Sequence, residues 1–181
     1  MRQVLKPHPD WPCGAAARIE VDVARISPGA LELRFALTGA IADFRLPPAA
    51  EPARADELWR RTCFEAFVRA GEGKAYIELN FAPSRQWAVY RFNGYRTGMT
   101  AVREIVAPRI EVKTSEGRFE LRASLELPDL ARDKAWRLGL AAIIEETNGR
   151  QSYWALEHPP GKADFHRAEG FAYELESPER A

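Results

Sequence analysis

The chain is poor in cysteine, with two in 181 residues, and Cys13 and Cys63 form no CxxC pair. Two isolated cysteines supply neither a disulfide framework nor a zinc set, and they read as reduced thiols of a cytoplasmic protein. An excess of either charge sign is also missing, because 26 basic and 26 acidic side chains cancel. Nucleic acid needs clustered Lys and Arg to neutralise its phosphates, and the longest basic run is Arg60-Arg61, so that class of partner is excluded. Long hydrophobic runs are absent too. The longest apolar segment, residues 138–144, falls far short of the ~18 residues of a membrane helix. The first ten residues carry proline and charge where a secretory signal would need an apolar stretch of about 7–15 residues. No repeat, low-complexity run or linker divides the chain. Its length suits one domain, which buries about two-thirds of its unfolded surface and needs no staples.

What is present is period-two alternation, the mark of half-buried strands. Ile19, Val21 and Val23 alternate with polar residues, then Ser27-Pro28-Gly29 turns the chain into Leu31, Leu33, Phe35 and Leu37. Residues 17–38 therefore read as a hairpin. A second hairpin spans 109–127, turning at Ser115-Glu116-Gly117, with Phe119, Leu121, Ala123, Leu125 and Leu127 on one face. A third runs from Arg137–Glu146 through Asn148-Gly149, a strong tight-turn signal, into Ser152–Leu156. Further strands are expected at 63–69, 75–82, 87–93 and 171–175. Residues 53–61 and 129–135 are the candidates for one or two short helices. About nine strands with so little helix predict an all-β, antiparallel β-sandwich.

The same alternation nominates outward faces. On 75–82 the core set is Ile77, Leu79 and Phe81, leaving Tyr76, Glu78 and Asn80 on the other side. On 87–93 the pattern assigns Ala88, Tyr90 and Phe92 to the core and Trp87, Val89 and Arg91 to the opposite face. A four-residue loop at 83–86 would pair Glu78 with Arg91 and Asn80 with Val89, close enough to touch. Such a face carries a carboxylate, a guanidinium, an amide and aromatic rings. Sugar hydroxyls take paired donors and acceptors from charged planar groups, and the C–H face of a pyranose takes a flat indole. A solvated cross-strand ion pair accounts for the same residues equally simply. A second cluster runs from Trp59 to Glu65, with Glu65 facing away from Phe64, Ala66 and Val68. Late in the chain His158 and His166 flank a rigid Pro159-Pro160-Gly161 turn. They lack the spacing of a zinc helix, and an ordered hydrogen-bonded loop is the plainer reading.

The segments DELWRRTCFEAFV (56–68), YIELNFAPSRQWAVYRFNGY (76–95) and SYWALEHPPGKADFH (152–166) resemble the DOMON-like proteins of bacteria, sandwich domains akin to carbohydrate-binding module family 9. The resemblance covers about 17–176 of what is expected to be a single domain, with the three segments in the family's order. It implies a non-catalytic β-sandwich that holds a sugar, or a sugar-like metabolite, between tryptophan rings. By resemblance, Trp59 precedes a strand whose carboxylate six residues on, Glu65, contacts the sugar, and Trp154 closes the slot. Arg91 and Asn80, or Arg85, would supply basic and amide contacts. The module also holds structural calcium, whose ligands have no matching Asp/Asn-rich loop here. The full candidate set is Trp59, Glu65, Glu78, Asn80, Trp87, Arg91, Trp154 and His158.

Other classes stay open from sequence. A structural or protein-interaction domain needs no small ligand. An enzyme could use paired carboxylates, as glycosidases do, although adjacent Glu145 and Glu146 point to opposite faces of a strand. No nucleophile elbow, phosphate loop or zinc motif appears. Haem ligation, known among DOMON relatives, would have to pair Met99 with His158 or His166.

Overall fold

The computed structural model describes residues 1–15, 17–127, 130, 131 and 133–178. Thirteen strands are formed: β1 (Arg2–Pro7), β2 (Arg18–Ser27), β3 (Ala30–Thr38), β4 (Ala53–Arg54), β5 (Cys63–Ala70), β6 (Tyr76–Phe81) and β7 (Gln86–Phe92), followed by β8 (Thr100–Ala101), β9 (Arg109–Ser115), β10 (Arg118–Glu126), β11 (Trp136–Glu145), β12 (Gln151–Ala155) and β13 (Tyr173–Leu175). They make one curled sheet in the order β4-β7-β6-β5-β11-β12-β1-β2-β3-β10-β9, with β13 on β11 and β8 on β7. Pairing is antiparallel except between β4 and β7.

The three expected hairpins form with the expected turns, β2–β3, β9–β10 and β11–β12. Strand β1, in a segment read only for its lack of a signal peptide, is the pivot of the sheet. Its first part pairs with β2 and its last two residues pair with β12, so one short strand joins the two halves. The helices expected at 53–61 do not form. That stretch is β4, a loop and a single 3-10 turn at Leu58–Arg60. Pro52 at its start and the left-handed Glu57 (φ 58°) inside it leave no run long enough for helix nucleation. Part of 129–135 lies outside the described residues, and its described part holds no helix. Two other 3-10 turns form at Ile41–Asp43 and Ala168–Gly170.

The curl gives the molecule its main core. Phe64 of β5 stacks on Phe119 of β10 at 5.7 Å and lies 5.3 Å from Phe35 of β3, joining strands from the two halves. Ile77, Leu79 and Phe81 from β6, Leu138, Leu140 and Ala142 from β11, and Leu31, Leu33 and Leu37 from β3 fill the same cluster. Each fully buried large side chain of this set contributes about 1.5–3 kcal/mol of burial free energy. At the end of the sheet, Trp136 is fully buried under the Arg25 guanidinium, 3.8 Å from its ring.

The two halves differ on their other face. On β2, β3 and β10 that face is solvated and carries ion pairs such as Arg34 with Asp22 at 2.9 Å and with Glu120 at 2.7 Å. On β5, β6, β7 and β11 it is covered by the 3-10 turn at Leu58–Arg60 and by residues 156–172, which enclose a second cluster of Phe67, Tyr76, Tyr90, Phe92 and Phe171. Gly139 permits this cover. A Cβ there would lie 3.1 Å from the Gly170 carbonyl, so a larger residue would require the Ala168–Gly170 turn to give way by a few tenths of an ångström.

Candidate functional site

The covered face holds a cavity of about 370 Å³. Its floor is the sheet itself, with Glu65 of β5, Glu78 of β6, Phe92 of β7, Ile143 of β11 and Tyr153 of β12. Trp59 walls it from the 3-10 turn, and Phe165, His166 and Ala163 from the long segment after β12. Arg96 and Met99, from the loop after β7, complete the rim. That loop is tight: Asn93 N–H donates to the Thr97 carbonyl at 3.0 Å and Thr97 N–H to Gly94 at 3.1 Å. It needs Gly98, whose φ is +65° and whose Cβ position is taken by the Asn93 amide.

The cover is pinned from several sides. His158 Nε2–H donates to the Lys6 carbonyl at 2.8 Å, and His8 Nε2 lies 3.0 Å from the Gly161 carbonyl. The His8 and His158 rings meet edge to face at 4.9 Å. Asp164 accepts from the Arg96 guanidinium at 2.9 Å and 3.2 Å and from the Tyr95 hydroxyl, tying the cover to the rim.

Two carboxylates are buried in the floor. Glu65 is 2% exposed and Glu78 is 4% exposed. The Asn80 amide donates to Glu78 Oε1 at 2.7 Å and accepts from the Cys63 thiol at 3.6 Å. Glu65 Oε1 is buried with no hydrogen-bond partner. Burial first, and then the neighbouring Glu78 charge, hold the Glu65 carboxyl well above the usual carboxylate range. Burial also raises Glu78, against the Asn80 hydrogen bond and Arg96, which lower it.

Beside them the Tyr76 hydroxyl shares a hydrogen bond with His166 Nδ1 at 2.7 Å and accepts the Arg96 backbone N–H at 3.4 Å. Burial pushes the Tyr76 hydroxyl up to about 12. Burial, reinforced by Arg96, pushes His166 down to about 4, so its ring is neutral near pH 7. Its Nε2 lies 3.8 Å from Glu78 Oε2, too far for a hydrogen bond. Trp59 packs edge to face on Tyr90 at 5.8 Å, and the Tyr90 hydroxyl donates to Asp56 at 2.6 Å.

The structure brings together only part of the sequence-derived set. Trp59, Glu65 and Glu78 line the cavity, and Asn80, fully buried, orients Glu78 from beside it. Trp87 and Arg91 do not take part, because the β6–β7 loop is Ala82–Arg85, one residue earlier than expected. The register is Glu78 with Tyr90, Asn80 with Ala88 and Ile77 with Arg91. A one-residue slip exchanges the faces of a strand. Trp87 therefore lies in the main core beneath the Arg54 guanidinium, and the expected Glu78–Arg91 pair is split across the sheet. Tyr90 and Phe92, assigned to the core from sequence, stand on the cavity face.

Trp154, nominated by the resemblance, does not reach the cavity either. It is 3% exposed in the main core, its indole N–H donating to Ser152 Oγ at 2.9 Å, and its neighbour Tyr153 faces the cavity. His158 braces the cover and does not line the cavity, whereas His166 does. Arg85 reaches the Ile110 carbonyl of β9 at 3.1 Å, away from the site. Glu145 and Glu146 diverge as their adjacency requires: Glu145 meets Arg61 and Arg45, and Glu146 accepts from the Gly14 N–H. Arg96 and Phe165 were missed because they sit in loops without periodicity. Among the described residues no three His, Cys, Asp or Glu side chains converge as a metal-holding group. No described helix is long and apolar enough to cross a membrane.

No protein-family model matches the sequence, and no curated protein does. The fold is similar to solved structures. One is a protein of Bacteroides uniformis ATCC 8492 to which carbohydrate binding is ascribed, at TM-score 0.63 and 10% identity, covering 91% of this chain and 82% of that one. Another is a carbohydrate-binding module of family 9 from Caldicellulosiruptor kristjanssonii in complex with cellotriose, at TM-score 0.54 and 11% identity, covering 89% and 74%. The chain shares their fold.

Proposed function

We propose that this chain is a non-catalytic binding domain for a sugar or sugar-like small molecule, held in the cavity between Trp59 and the sheet. The observation that carries the reading is Glu65 Oε1, a buried acceptor with no protein partner in an aromatic-walled cavity. An unsatisfied buried oxygen costs about 1–3 kcal/mol, a cost that a ligand hydroxyl offsets on binding. Trp59, Tyr153, Phe92 and Phe165 supply apolar faces for ring C–H groups, while Arg96, Glu78 and Glu65 supply directional partners. A cavity of this size suits a mono- or disaccharide. The fold shared with a module seen with cellotriose supports the same reading, which takes the curled sheet as a two-layer sandwich of the DOMON-like kind.

The test is a panel of mono- and disaccharides followed by tryptophan fluorescence and calorimetry. Saturable binding is expected for at least one, weakened about tenfold or more in Trp59→Ala. A panel with no saturable response, or binding indifferent to Trp59→Ala, refutes the proposal.

A further inference from the structure

The charges around the cavity point to a narrower class of ligand, an inference that rests on the sugar reading above. Glu65 from β5 and Glu78 from β6 both face one cavity and both are almost fully buried. The register sets Glu65 across from Asn80, with Glu78 diagonal to it on the neighbouring strand. Opposite Glu65 on β11 stands Ala141, which brings no charge. Among the described residues lining the cavity, Arg96 is the permanent cation, and its guanidinium is bound to Asp164 through two hydrogen bonds. His166, from the cover, is neutral, and its Nδ1 is occupied by Tyr76. Cys63 beside Glu65 is a buried thiol whose ionisation burial opposes. Two carboxyl groups thus share a desolvated floor, one with a free oxygen, and no cation is committed to them.

We propose that the cavity selects a saccharide bearing a primary ammonium group, an amino sugar, whose cation sits against Glu65 and Glu78. An ammonium brings three donors and one positive charge. It satisfies Glu65 Oε1 and lets a carboxyl group in the floor ionise. The proton held there in the empty site leaves to buffer as the ammonium enters, so binding of R–NH3+ is coupled to release of up to one proton. A neutral hydroxyl at the same place satisfies the oxygen without compensating the second charge, and an N-acetyl group removes the charge and adds bulk.

Calorimetry distinguishes these ligands. D-Glucosamine, D-galactosamine and 6-amino-6-deoxy-D-glucose are titrated beside D-glucose, D-galactose and N-acetyl-D-glucosamine, in two buffers of different ionisation enthalpy. At least one amino sugar is expected to bind about tenfold or more tighter than its neutral counterpart, with proton release near pH 7. Glu65→Gln and Glu78→Gln, each checked for folding by circular dichroism, should both narrow that preference, lowering amino-sugar affinity by a larger factor than neutral-sugar affinity. Equal affinity for amino and neutral sugars overturns this inference and leaves the sugar reading standing. Preference retained in both glutamine variants overturns it as well. Binding of cyclohexylamine with no response to any sugar overturns both.

Discussion

Two pairs of acidic residues on the face away from the main core, one pair on each half of the sheet, are treated in opposite ways. On the β2–β3–β10 half, Asp22 and Glu120 lie at the surface in a chain of arginines. Hydrogen bonds from Arg2 lead the lowering of Asp22. Glu120 is lowered overall because bonds from Arg118 and Arg34 outweigh its partial burial. On the β5–β6–β7–β11 half, Glu65 and Glu78 are covered and raised, and no arginine is committed to them. The first arrangement is a solvated face that costs little and contributes little. The second is expensive to keep unless a ligand uses it, because buried polar groups without partners lower stability. That difference is what the proposed binding site rests on.

The largest effect that sharpens this contrast lies between the halves. Phe64→Ala removes the ring that joins β5 to Phe35 and Phe119, and about 3–5 kcal/mol of stability should be lost in denaturant unfolding. Trp154→Ala should destabilise through the same core. Trp59→Ala, on the half-exposed cavity wall, should cost about 1 kcal/mol or less and act on binding instead. A ligand-binding defect in Trp154→Ala at full stability would break that division.

The pH dependence comes next, with opposite signs for the two faces. Glu65 is harder to ionise folded than unfolded. Its contribution to stability is present below the ordinary carboxylate range and is lost as pH rises through its raised value. Thermal unfolding followed upward from about pH 4 should therefore show a decline that Glu65→Gln flattens. Asp22 and Glu120 are easier to ionise folded. Their contribution is present above the ordinary carboxylate range and is lost as pH falls through their depressed values. Glu120→Gln should shrink that acid limb and leave the other unchanged. The smallest effect is Arg34→Met, which breaks two part-exposed ion pairs and should cost about 1 kcal/mol or less, with no change in sugar binding.

The β2–β3, β9–β10 and β11–β12 hairpins were legible in the sequence because each has strong alternation and a turn rich in Gly, Pro or Asn that fixes its register. The β6–β7 register was not, because Ala82-Pro83-Ser84-Arg85-Gln86 allows two loop frames that differ by one residue. Alternation cannot decide between them when both faces of β7 carry aromatic rings. The observed frame buries Trp87 with Val89 and leaves Tyr90 and Phe92 for the cavity, where the tyrosine hydroxyl reaches Asp56. Trp154 came from the resemblance alone, and on β12 it faces the main core while its neighbour Tyr153 faces the cavity. Glu65 was legible because a lone carboxylate between Phe64 and Ala66 has one face left to it. Arg96 and Phe165 arrive from loops, positioned by Gly98 and by the long cover, and no period announces them.

Carbon-13 NMR of the side-chain carboxyl groups tests the central claim most directly, with Glu65, Glu78 and Glu120 followed through a pH titration with and without a saturating saccharide. The account predicts that Glu65 remains protonated well above the range in which Glu120 titrates, and that its resonance shifts when the sugar is added while that of Glu120 does not. A Glu65 that titrates with the surface carboxylates and ignores the sugar would contradict it.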